Sequence, residues 1–374
     1  MDRICFTVLA AAAAMAAAAF ENGGIWPDSG GVHINAHGGC VLQDGGTYYW
    51  YGEHKIAGGA GNRAHVGVGV YSSEDLHEWK NLGVALAVSD DPASDIAKGC
   101  ILERPKVLKC PKTGKYVMYF HLERGNGGYS DARVGIAEAD APEGPFKFIR
   151  ALRPTPGTAP QNAPADELGE EAMQKSLADT AKPVSNGPSE AGMKALLWPA
   201  HSRGGQHCRD MTLFLEDDGT AYHIHSSEHN STLHIDELTD DFLGYTGRWW
   251  RMAVKDWTEA PAICKHDGWY YLIGSGCTGW KPNEARYYRA RKITGPWERM
   301  GNPASGINPL NGIGPALTWG GQSYYILQPS KATGGRHIAM FDIWRPQNAI
   351  DGRYVWLPVE FGDGTISIPW KNEF

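Results

Sequence analysis

One local pattern recurs along this chain and narrows the folds open to it. A polar residue opens a short apolar run, a tight turn follows, and a second run rich in aromatic and β-branched residues returns. The pattern is fullest between Trp257 and Trp280, where Glu259 opens the first run, Asp267-Gly268 supplies the turn and Trp269 to Ile273 form the return. Glycine takes positive φ without steric penalty, which suits the second position of such a turn. Aromatic and β-branched residues favour the strand that follows. The stretch therefore reads as a β-hairpin with a carboxylic acid at the mouth of its first strand.

The same pattern returns in order along the sequence. Residues 36–53 form a hairpin turning at Asp44-Gly45-Gly46, and Val66–Ser73 and Asp75–Trp79 are expected to complete that sheet. Glu103–Leu108, a turn at Thr113-Gly114, Lys115–His121, Arg133–Ala137 and Gly144–Phe148 make a second unit. Asp210–Leu215, a turn at Asp217–Gly219, Ala221–Ser226 and Ser231–Leu238 make a third. A fourth opens at Glu259 and closes with Tyr287–Arg291 and Gly295-Pro296-Trp297. The fifth holds Gln322–Leu327, a turn at Gly334-Gly335 and His337–Ile343, with Arg353–Pro358 and Thr365–Ile368 finishing the chain.

A period of roughly 45 to 80 residues indicates radial repetition. No long amphipathic helical pattern lies between the strands, which argues against an α/β fold. The expectation is an all-β, five-bladed β-propeller forming a single domain over residues 21–374. An insertion at about 154–203, rich in Pro, Gly, Ser and Ala, is expected to be a loop, with one short helix within Ala165–Ala181.

Residues 1–20 stand apart. Arg3 precedes an Ala-dominated apolar stretch, and the small residues Ala17 and Ala19 allow cleavage of the Ala-x-Ala type. This reads as a signal peptide and gives a secreted or periplasmic address. The alternative, a membrane anchor, is short for a span. No span is expected after its removal. Net charge is -7 with no basic block, which makes nucleic acid a poor partner. Export permits disulfides among Cys40, Cys100, Cys110, Cys208, Cys264 and Cys277, but no spacing fixes a pairing, and buried free thiols are the plainer reading. No Cys-x-x-Cys or His/Cys cluster points to zinc.

In a propeller the inner strands converge on the axis, so their first residues share one end of the central channel. Those residues are expected to be His37, Glu103, Asp210, Glu259 and Gln322. Gln322 has a competing placement: Gly320–Tyr325 also resembles the turn at Gly45–Tyr49, which would make Gly314–Leu317 the inner strand. Paired carboxyls flanking a sugar bond are the machinery of glycoside hydrolysis. One must stay protonated, its pKa raised by burial or by a like charge. The structural alternative is ion pairing with Arg104, Arg209 or Lys106. The 14 Trp and 16 Tyr would suit sugar stacking, although large rings equally fill cores.

At this point several strings resemble glycoside hydrolase family 43, and within it the branch of exo-β-1,3-galactanases and related galactosidases. They are Asn35–Gly39, Thr47–Glu53, Glu103–Val107, Arg209–Phe214, Glu259–Ala262, Ser275–Trp280 and Arg353–Pro358. The resemblance runs from about Trp26 to the C-terminus, apart from the insertion. It implies an oligo- or polysaccharide substrate, inversion at the anomeric carbon and no required cofactor, with calcium in the channel left open. It makes Glu259 the general acid, Asp210 the residue that sets its pKa, and Glu103 the holder of sugar hydroxyls.

The family's usual first-blade aspartate is absent here, and Gln322 matches the glutamine thought to replace it as base. Acid and base would then stand about 6.5–9.5 Å apart. Asp28, in a Pro-Asp-Ser-Gly turn, is expected to be structural. Glu53, Arg104, Tyr129, Asn230 and Thr278, with His37 at the first mouth, are expected to contact sugar, and Trp280 to wall the subsite. The activity implied is removal of galactose from β-galactan or arabinogalactan side chains. The alternatives are an exo-α-L-arabinofuranosidase, a β-galactofuranosidase, or a propeller that binds carbohydrate without cleaving it.

Overall fold

The computed structural model describes residues 19–63, 65–125, 129–168, 171, 198 and 203–374. Residues 1–18 of the expected signal peptide and most of the 154–203 insertion lie outside the described residues, the second part of its expected helix included. Within the insertion Ala165–Glu167 forms one short 3-10 turn.

The first sheet runs β1 (His37–Asp44), β2 (Thr47–Lys55), β3 (His65–Ser73) and β4 (Lys80–Ala87), each antiparallel to the next. The second holds β5 (Ile101–Lys109), β6 (Tyr116–Glu123), β7 (Arg133–Ala139) and β8 (Lys147–Leu152). The third holds β9 (Met211–Leu215), β10 (Ala221–Ser227), β11 (Thr232–Leu238) and β12 (Tyr245–Met252). The fourth holds β13 (Thr258–His266), β14 (Trp269–Gly276), β15 (Arg286–Ala290) and β16 (Glu298–Arg299). After β17 (Ala304–Ser305), a fifth sheet is made by β18 (Gln322–Leu327), β19 (Ile338–Ile343) and β20 (Arg353–Pro358). The last strands, β21 (Glu360–Phe361) and β22 (Ile366–Pro369), join β17 in a small sheet of order β17-β22-β21.

The expectation of five blades is thereby corrected: the described residues form six sheets. The sequence reading gave the final strand to the fifth unit. In the structure β22 leaves that unit to pair in parallel with β17 and antiparallel with β21. Two strand assignments also change. Asp75–Trp79 is a turn, because the Asp75 carboxylate accepts the backbone N–H groups of His77 and Glu78 at 2.8 and 2.9 Å, and the fourth strand starts at Lys80. The third sheet has an outer strand, β12, that the sequence reading missed. The hairpin turn at Asp267-Gly268 forms as its residues dictate: both take positive φ, 46° and 72°, and His266 pairs with Trp269.

Apolar side chains fill the space between neighbouring sheets. Val68, Leu102 and Met118 belong to the core between the first and second, and Tyr119, Ile136 and Leu213 to that between the second and third. Ile224, Ile235 and Leu272 link third to fourth, and Ile273, Ile326 and Val355 link fourth to fifth. Trp26, Trp50, Trp79 and Trp356, all fully buried, close the ring between the fifth and the first. Phe20 stacks on Trp26 at 4.6 Å and exchanges backbone hydrogen bonds with Phe374, so both ends of the described chain close the same seam. Truncating Trp50 to Ala would cost about 3–5 kcal/mol. Strand β1 packs on β5, β5 on β9, β9 on β13, β13 on β18, and β18 back on β1. These inner strands surround the site.

Each inner strand that carries a mouth residue in its ladder is irregular at that residue or at the one after it. The register shifts between His37 and Cys40, Glu103 and Lys106, Glu259 and Ala262, and Ser323 and Tyr325. A bulge bends the strand and re-aims its side chains. Gly38, Arg104 and Ala260, each directly after its mouth residue, have φ of 61°, 55° and 55°. At Gly38 a Cβ would lie 2.6 Å from the Glu53 carboxylate, so only glycine fits.

Candidate active site

The mouths surround a cavity of about 250 Å³, lined on its acidic side by Glu53, Glu103, Asp210 and Glu259. Arg104, Tyr129, Asn230, Trp280 and Gln322 complete the set of expected residues on its wall. Gln322 opens β18, which packs against β13 and β1, so it stands on an inner strand. Gly314–Leu317 lies in an irregular 3-10 stretch.

Glu259 is the pivot. Its Oε1 accepts from Gln322 Nε2 and its Oε2 from Asn230 Nδ2, each at 3.1 Å. Burial, then the charge of Asp210, push this carboxyl up to about 8 despite the Arg104 guanidinium nearby. Asp210 Oδ2 is itself paired with Arg104 Nη2 at 2.8 Å. Glu103 has the opposite environment. Burial alone would raise its pKa, but His121 Nδ1 at 2.9 Å, Lys55 and the Tyr129 hydroxyl at 2.7 Å outweigh burial and hold it down to about 2. His121 stands between Glu103 and Glu123, which lies 3.0 Å from its Nε2. Burial disfavours its charge, yet the two carboxylates raise it to about 9, so at neutral pH it is an imidazolium. Two carboxyls pushed to opposite sides of neutrality are what acid–base chemistry at a sugar bond requires.

The amide of Gln322 is fixed by its neighbours. Arg104 Nη2 at 2.6 Å and Trp344 Nε1 at 2.9 Å can only donate, so both face its oxygen. Its nitrogen then donates to Glu259 and to Ser275 Oγ at 2.8 Å. The expected 6.5–9.5 Å between Glu259 and Gln322 is corrected: the two side chains are in direct hydrogen bond, with no water between them.

His37 and Thr278 lie outside the cavity lining. His37 is buried against the rings of Trp344 and Tyr354, each 5.5 Å away. Thr278 spends its hydroxyl within its own loop, on the Lys281 carbonyl and the Asn283 amide. Asp28 accepts the N–H groups of Gly30 and Val32 in a tight turn. Sequence reasoning missed His121, Ser275 and Trp344. His121 stands on the returning strand β6 opposite Glu103 in register, a position that could have been counted from the turn. Trp344 follows β19 without a local signal.

The six cysteines among the described residues are free thiols. Among those residues, the His, Cys, Asp and Glu side chains close enough to share a metal are Cys208, His223 and His225, and His225, His234 and Asp236, on the third sheet or, for Cys208, just before it. The sequence showed no such cluster because it forms only when neighbouring strands pair. No helix of the described residues is long and apolar enough to cross a membrane.

An all-β propeller whose inner strands place a raised and a depressed carboxyl around one small pocket has the site of a glycosidase. The sequence profile of glycosyl hydrolases family 43 matches residues 189–306. A solved family 43 β-1,3-galactosidase, determined with galactodeoxynojirimycin, is 44% identical, covers 95% of this chain and 99% of its own, and superposes with a TM-score of 0.86. An exo-β-1,3-galactanase from Clostridium thermocellum is 30% identical, covers 95% of this chain and 66% of its own, with a TM-score of 0.73. A β-D-galactofuranosidase from Aspergillus niger is 24% identical over 272 residues, 69% of this chain, and the chain spans 64% of that relative's length. The chain belongs to glycoside hydrolase family 43.

Proposed function

We propose that this protein is an exo-acting, inverting galactosidase that removes terminal galactose from β-1,3-linked galactan or arabinogalactan side chains. The observation that carries the reading is the Glu259 carboxyl, kept protonated near neutral pH on the wall of a small pocket. Because the Gln322 N–H occupies Oε1, the acidic proton belongs on Oε2. Asn230 sits against that oxygen, and its own carbonyl oxygen is buried without a partner. Turning the amide over would let it accept the proton and aim it, an assignment that side-chain amides leave open.

In this mechanism Glu259 gives its proton to the glycosidic oxygen as that bond breaks, while a water adds to the anomeric carbon from the opposite face and loses a proton to solvent; Asp210 opposes the ionisation of Glu259 until then. Glu103, held ionised, accepts hydroxyls of the sugar, and Trp280 walls the pocket. Gln322 holds Glu259 and Arg104 in place, since every donor and acceptor of its amide is already used in the ordinary amide form. At about 250 Å³ the cavity falls below the usual range of roughly 300–1,000 Å³ for drug-sized ligands, which suits one sugar at a chain end. Export by the leader and a secreted or periplasmic address belong to the same proposal.

Incubation with β-1,3-galactobiose and β-1,3-galactan, followed by proton NMR, tests it. Free galactose formed first as the α-anomer is expected. First release of the β-anomer would refute inversion. Cleavage confined to aryl galactofuranosides would favour the activity of the Aspergillus niger relative instead, and cleavage confined to aryl arabinofuranosides the corresponding arabinofuranosidase. No release from any of these would favour binding alone.

A further inference from the structure

The third blade carries a polar cluster in its interior. Strands β10 and β11 pair so that His223 stands opposite Asp236 and His225 opposite His234. Residues two apart on a strand share a face, so these four project together. All four are completely buried. Ile224 and Ile235, between them in sequence, are buried as well, so both faces of these strands lie inside the protein.

Polar groups at zero exposure need partners. Glu228 is ionised, since Arg251 donates to both of its oxygens at 2.8 and 3.0 Å. His234 Nε2 lies 2.9 Å from Glu228, so that nitrogen carries the ring proton and Nδ1 is a bare lone pair. Nδ1 has no hydrogen-bond partner. Asp236 Oδ2 takes a hydrogen bond from His225 Nε2 at 2.8 Å, while Oδ1 has no partner. Two acceptors on fully buried side chains thus have no hydrogen-bond partner. The ligand atoms of His225, His234 and Asp236 lie within 4.8 Å of one another, and donors around a tetrahedral zinc stand about 3.3–3.5 Å apart. Small side-chain rotations would close that difference.

We propose that His225, His234 and Asp236 bind one divalent transition-metal ion of zinc's character. His225 ligates through Nε2, with its Nδ1–H directed at the Ser226 carbonyl 3.3 Å away, and the proton it shared with Asp236 leaves to solvent. His234 ligates through Nδ1 with Glu228 behind it, the carboxylate–histidine–metal arrangement that fixes ring and tautomer. Two imidazoles and one carboxylate favour zinc over calcium, which takes an all-oxygen set. Cys208 and His223 form an adjoining group that shares His225.

The ion would act on the pocket from behind. Glu228, His229 and Asn230 have φ of 48°, 55° and 68°, a run of left-handed conformations that non-glycine residues resist. Glu228 fixes one end of this turn through His234, and Asn230 at the other end holds Glu259. Fixing His234 fixes the turn.

The test uses tag-free protein stripped with a chelator, then titrated with Zn²⁺ and separately with Co²⁺. One equivalent of either ion is expected to bind, with visible d–d absorption from Co²⁺ and a higher Tm with Zn²⁺. Asp236→Asn should weaken Zn²⁺ binding by more than about 100-fold and Glu228→Gln by about 10–100-fold, the range for groups that support a ligand. Wild-type protein that shows no saturable binding of either ion, a result that needs no variant to fold, overturns the proposal. So does binding that both substitutions leave unchanged.

Discussion

Replacing Asp210 with Asn tests the electrostatic origin of the Glu259 proton. The carboxyl stands at about 8 against an ordinary value of 4.5, with burial the largest cause and Asp210 the next. An opposite charge close by typically moves a carboxyl by about 1–3 units, and a like charge acts in the reverse direction. The substitution removes that charge and also strips Arg104 of its 2.8 Å partner. The guanidinium then acts on Glu259 with less opposition, and it favours the ionised form. Both effects have the same sign, so the Glu259 pKa should fall by about 1–2 units. A general acid works only while protonated, so the rate falls as pH rises through its pKa. The basic limb of kcat/KM against pH, which reports the free enzyme, should move from near 8 toward 6–7. Activity at pH 8 should drop further than activity at pH 5.5. A limb that stays in place, or moves up, would refute the coupling.

Glu259→Gln keeps the shape and removes the acidic proton; kcat should fall by about 10²–10⁴-fold on galactobiose and much less on aryl galactosides with good leaving groups. Gln322→Ala deletes an N–H donor that favours ionised Glu259, so its basic limb should shift to higher pH, opposite to Asp210→Asn. A large loss on all substrates with an unmoved limb would instead assign Gln322 to the attacking water. His121, raised to about 9, contributes stability that is complete below about 6.5 and lost as pH rises through 9. The Tm difference between wild type and His121→Gln should shrink across that window; a constant difference would sink the assignment.

Hairpins and mouth residues were legible in the sequence because each rests on a short-range rule. Asp267-Gly268 forms its turn from two residues alone, and Glu259 follows from where the adjoining run begins. Where the chain leaves one sheet for another is set by pairing over long separations. Ile368 meets Ala304 across 64 positions, a difference of their numbers that no local pattern encodes. The same limit hid Trp344 and the blade-three cluster, whose members meet only through strand register. The direct Glu259–Gln322 contact was out of reach for a related reason, since side-chain networks close only in three dimensions.

The irregular starts of the inner strands have a consequence for how such a chain can diverge. Four mouths use the same backbone device, yet they present His37, Glu103, Glu259 and Gln322. What shapes the ring is stored elsewhere, in the apolar contacts between sheets. Reactivity and architecture are therefore inherited through separate sets of positions. One replacement at a mouth that reaches the cavity, such as Glu103, Glu259 or Gln322, can alter the reaction while the contacts that hold the ring stay in place.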